Sequence, residues 1–191
     1  MRYQALAVVL LSFRGVYCAG SAEPIYGKGD AIADSTIVGR WRGVTDTITD
    51  DSVVIEREPA GSDSSAAYRL AVYGADGVER DDLHLTRIGG LLLADVYPTK
   101  HGDPWNMIPI HGILFARQQR NRLTVHVIDG EWLQRYSAMH PKEIKIDSIG
   151  GFAVFTDSTA RVRAFLAKQV NAGLWMQDSM VFVRMPVPGT R

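Results

Sequence analysis

From Ile37 to Pro186 the chain is a run of short β-prone segments cut apart by turn signals, and this punctuation limits the fold more than any other feature. The segments are "IVGRWRGV" from Ile37, "SVVIERE" (Ser52 to Glu58), "AYRLAVY" (Ala67 to Tyr73), "VERDDLHLTRI" (Val78 to Ile88) and "LLLADVY" (Leu91 to Tyr97). "MIPIHGILFARQQ" (Met107 to Gln119), "RLTVHVID" (Arg122 to Asp129) and "DSMVFVRMP" (Asp178 to Pro186) complete the series. "GADG" and the Gly89–Gly90 pair are hairpin signals, because tight turns need residues tolerant of positive φ. Short strands joined by hairpins build an antiparallel meander. Its exposed edges are removed when the last strand pairs with the first. The expected fold is therefore mainly β, an antiparallel up-and-down barrel of about eight strands.

Two segments change period late in the chain. "GEWLQRYSAMH" places Trp132, Leu133 and Tyr136 at helical spacing, and Pro141 stops it. "TDSTARVRAFLAKQVNAG" offers Thr156 or Asp157 as a cap and Val162, Phe165, Leu166 and Val170 as an apolar stripe. These helices are expected to cover one opening of the barrel. "GGFAVFT" between them reads as a short strand.

The N-terminus reads as an address. Arg2, the apolar core Ala5 to Phe13 and the small residues around Gly20 and Ala22 have the layout of a secretory signal, assigned to residues 1–22. The apolar run is too short to anchor in a bilayer. An alternative puts a lipid on Cys18, tethering the chain to the cell envelope, although bulky Tyr17 precedes it where such sites carry a small residue. Residues 23–36 read as a leader and 37–188 as the domain. Loss of residues 1–22 removes Arg2 and Arg14 and no acid, leaving a net charge of about −2. Without a basic block there is no footprint for nucleic acid. The lone Cys lies in the signal, so no disulfide is expected.

A secreted chain that opens its sheet with Gly-x-Trp (Gly39, Trp41), continues as a meander and ends in helix then strand resembles a lipocalin-like, or calycin, barrel. The resemblance implies that Trp41 sits at the closed end with a late Arg, here Arg184, packed across its ring. "ADVYP", "IPIHGILFAR" and "EWL" are similar to segments of uncharacterised bacterial secreted or lipoprotein members of that class. Two departures are plain: a helix interrupts the strands, and the usual lipocalin disulfide is absent, which sets aside the eukaryotic transport-type members.

Chemistry-bearing motifs are sparse. His84 and Asp82 share a strand face and read as solvated rather than as metal ligands. His111 lies on an apolar face with Ile113 and Phe115, either as a satisfied core residue or as a polar group in a cavity. His126 invites the same weighing with less support, and His101 and Asp103 fall in a long Pro/Gly loop. No Gly-x-Ser-x-Gly is present, and "IYGKGDA" lacks the strand and helix of a phosphate loop. The expectation is a non-enzyme without metal or cofactor, secreted or periplasmic, that binds a small, mostly apolar ligand in the barrel. His111, Tyr68, Arg117 and Phe115 are the candidate contacts. The alternative is a structural or protein-interaction module of the cell envelope whose barrel is filled by its own side chains. The pattern leaves open the ligand, the oligomeric state and which strand faces point inward.

Overall fold

The computed structural model describes residues 19–27, 29–44, 52–58, 67–74, 77–99, 110–149, 151–172 and 176–186. The signal's apolar core, Cys18, His101 and Asp103 lie outside them. Eight strands form the wall: β2 (Gly39–Gly43), β3 (Ser52–Arg57), β4 (Ala67–Gly74), β5 (Gly77–Ile88), β6 (Leu91–Pro98), β7 (His111–Gln119), β8 (Arg122–Ile128) and β11 (Met176–Arg184). Each pairs antiparallel with its neighbour, and β11 bridges β8 and β2 through Phe182↔Leu123 and Arg184↔Trp41. The sheet is thus a closed antiparallel barrel, the architecture expected from the meander. Gly89 and Gly90 turn β5 into β6 with φ of 56° and 82°, a geometry that glycine adopts without strain.

Three further strands extend the sheet outside the barrel. β1 (Ala19–Ser21) runs antiparallel to the start of β7 and parallel to β10 (Phe152–Phe155), which pairs with β9 (Ile146–Ile149). β8 follows β7 only as far as Leu114↔Val127, and β1 takes the same edge at Gly112 and His111. After β8 the chain enters helix α1 (Gly130–Met139), where the Asp129 carboxylate accepts the Trp132 N–H at 3.0 Å. Helix α2 (Thr159–Ala172) buries Val162, Phe165, Leu166 and Gln169. Its first turn bonds to the Ser158 carbonyl, while Asp157 holds the Lys145 N–H instead.

The helices do not close an opening. They pack with β9 and β10 against the outer wall, because the outward faces of β6 and β7 are themselves apolar: Leu93, Ile113 and Phe115 share a core with Leu133, Phe155, Val162 and Leu166. The molecule therefore has two cores, one inside the barrel and one outside it.

The leader is a strap fastened along its length. Ala22 N–H donates to the Phe155 carbonyl, Thr159 Oγ1 to the Pro24 carbonyl at 2.7 Å, and Arg163 to the Ile25 carbonyl at 2.9 Å. β5 overhangs β4 beyond His84, and there Ile32 N–H bonds the exposed Leu85 carbonyl at 2.8 Å. That contact covers an edge which would otherwise be free to pair elsewhere.

Candidate functional site

The barrel has a floor and a mouth. At the floor, Arg184 lies with its guanidinium carbon 4.2 Å from the Trp41 ring centroid, and it donates to the carbonyls of Val38 and Thr36. Trp41 Nε1 donates to the Ile37 carbonyl at 2.8 Å, so the polar edge of the buried indole is satisfied. Tyr68 also points inward here, fully buried, and its hydroxyl oxygen accepts the Asp34 N–H at 2.6 Å.

Above the floor the lumen is lined by Val53, Ile55, Leu70, Val72, Leu92, Ala94, Val96, Leu114, Ala116, Val125 and Phe182. Along β6 and β7 the usual relation between the two faces is inverted. The outward side chains Leu93, Asp95, Ile113 and Phe115 are 0–1% exposed. The inward Leu92 and Ala94 keep 6% and 7%, and inward Val96, Leu114 and Ala116 are only partly buried. Mid-strand side chains that face into a closed barrel keep surface only where the space before them is open. An apolar pocket inside a small barrel is a ligand-sized environment.

At the mouth, where β4 turns into β5 and β6 ends, two acids face inward. Asp81 lies opposite Leu70 on β4 and Pro98 on β6, with Glu79 one inward position nearer the end of the strand. Asp81 is 4% exposed. It makes no hydrogen bond or ion pair with any described residue. Burial first, then Glu79 and Asp82, pushes its carboxyl up to about 7.

The sequence-derived contacts are not brought together. Of the four, only Tyr68 faces the lumen, and it is sealed into the floor. His111, Phe115 and Arg117 alternate with the inward Gly112, Leu114 and Ala116, so they belong to the outer face. His111 Nδ1 pairs with Asp95 Oδ1 at 2.7 Å, and its ring meets Tyr97 at 4.5 Å between centroids. The other oxygen of fully buried Asp95 accepts the Ile25 N–H at 2.8 Å. A carboxylate that orients an imidazole can serve base chemistry, but here both of its oxygens hold the strap and β7 in place. His84 lies on the same outer face opposite Asp95, stacked on Tyr26 at 4.2 Å. Burial holds it below the ordinary imidazole range against the pull of Asp95 and Asp82. Phe115 is core, and Arg117 is exposed beside Gln119. No group of three or more potential metal ligands occurs among the described residues.

Compared with protein-family models, curated proteins and solved structures, the chain matches none.

Sequence reasoning passed over Asp81 because three acids crowd one stretch of β5, Glu79, Asp81 and Asp82, and a turn-proximal acidic run reads as solvated. One signal was present. Asp81 shares the period-2 face of Leu83 and Leu85, whereas Asp82 shares the face of His84.

Proposed function

We propose that the protein is a lipocalin-like carrier that holds a small, mostly apolar molecule in the barrel lumen. The observation that carries this reading is the inverted burial of β6 and β7, with outward side chains sealed and inward ones accessible. The Gly39–Trp41–Arg184 floor is the feature of the lipocalin-like class that this chain has in three dimensions. The secretory layout of residues 1–22 supports action outside the cytoplasm, with a lipid anchor at Cys18 as the alternative mode of retention. The protein acts by binding, without catalysis, metal or cofactor.

The test is native mass spectrometry of the protein purified gently from its own host, followed by titration with N-phenylnaphthylamine. A retained small molecule, or micromolar uptake of the fluorophore that an Ala116→Phe substitution abolishes, supports the carrier. A clean apo mass with no fluorophore uptake replaces it with the filled-barrel envelope module.

A further inference from the structure

We infer that the luminal ligand is a cationic amphiphile, with its apolar body in the barrel and an amine-type head group at the mouth against Asp81 and Glu79. This rests on the carrier reading and adds the chemical class of the ligand to it.

The argument begins with the charges that face inward. Among the described residues, the inward cations Arg57 and Arg184 both belong to the floor end, and Arg184 is committed to Trp41 and two backbone carbonyls. Above them, the inward ionisable groups are the two acids. Asp81 borders the accessible part of the lumen: Leu70 across β4 and Val96 on β6 are among the side chains that keep surface. No positive group answers it from the neighbouring strands. β4 presents Leu70 and Val72, β6 presents Val96 and Pro98, and along β5 itself stand Glu79 and Leu83. Asp82 is one residue away on the outer face and adds only like charge.

A buried carboxylate beside a second one in an apolar cavity is costly unless a cation or donor meets it. That cost is visible in the raised Asp81 carboxyl, which a bound ammonium would draw back to the ionised form. A fatty-acid-like ligand would place its own carboxylate against this pair and be repelled. A neutral alcohol would gain hydrogen bonds without the charge term. The mouth therefore ranks head groups as amine, then alcohol, then carboxylate.

The experiment is displacement of N-phenylnaphthylamine from the purified protein at pH 8 by decylamine, decanol and decanoate, which share one chain length. Decylamine is expected to displace at least tenfold more tightly than decanol, with decanoate weakest. Asp81→Asn and, separately, Glu79→Gln should bring the amine close to the alcohol, whereas Asp82→Asn on the outer face should leave the ranking as it was. Equal displacement by all three compounds, or an amine preference that survives both inward substitutions, overturns this inference and leaves the carrier standing. Failure of the fluorophore to enter the parent protein overturns both.

Discussion

Arg184 reaches the Trp41 ring through the space that Gly39 leaves open: a Cβ on Gly39 would lie 2.6 Å from the Arg184 Nη1. Gly39 also holds a φ of 139°, which disfavours any side chain. The spacing Gly-x-Trp is thus one half of a three-residue device whose other half lies at the far end of the chain.

Gly39→Ala is expected to destabilise the protein by about 1–3 kcal/mol, by clash and backbone strain together. Arg184→Lys should cost a similar amount, because an ammonium cannot stack flat on the indole while reaching both the Val38 and Thr36 carbonyls. Urea denaturation followed by Trp fluorescence measures both. Wild-type stability in either variant would remove the device.

The two faces of β7 should respond differently to truncation. Ile113→Ala, in the sealed outer core, is expected to cost roughly 2–5 kcal/mol. Leu114→Ala, one residue on but facing the lumen, should cost about half as much or less, since part of that side chain already lacks packing partners. Equal losses would mean that the lumen is as densely packed as the outer core.

Asp81 makes stability depend on pH in a definite direction. Its carboxyl stands near 3.8 in the unfolded chain and about 7 in the fold, so the native state binds the proton more tightly. The resulting stabilisation is complete below about pH 4 and is lost as pH rises through 7, at most about 4 kcal/mol. Denaturation midpoints between pH 5 and 8.5 should fall for the parent and stay flatter for Asp81→Asn. A parallel decline in both would assign the effect elsewhere.

The Asp95 carboxylate should matter for folding and not for binding. Asp95→Ala strands the Ile25 N–H and the His111 ring in a buried setting, with an expected loss of about 2–4 kcal/mol. Fluorophore affinity in the folded fraction should be unchanged. A selective loss of binding with intact stability would move the functional site to the outer face.

Chain starts separate β1 from the leader that follows it. A chain beginning at Ala19 keeps the β7 and β10 pairings, whereas one beginning at Glu23 lacks them and also lacks the Ala22 N–H bond to Phe155. The shorter chain is expected to be less stable by roughly 2 kcal/mol or more, from lost ladder bonds and the buried Ala19 and Ser21. Indistinguishable melting of the two would show that β1 contributes nothing to the folded domain.

The sequence by itself determined the wall of this protein. Hairpin residues such as Gly89–Gly90 and the period-2 runs are local signals, because turn geometry and strand alternation act within a few residues. The same locality marked both helices. It did not decide which side of each strand faces inward. On β6 and β7 both faces are apolar, so alternation shows that His111, Ile113 and Phe115 lie together but not where. That was settled by what packs on the outside: α1, α2, β9 and β10, brought from later in the chain, and β1 and the strap from its start. For the same reason only the tertiary structure distinguished Asp81 from Asp82. They are adjacent in sequence, yet closure of the sheet places one carboxylate in a confined lumen and the other on the outer face. Burial of charge is a property of that enclosure, which long-range strand pairing creates and local sequence cannot specify.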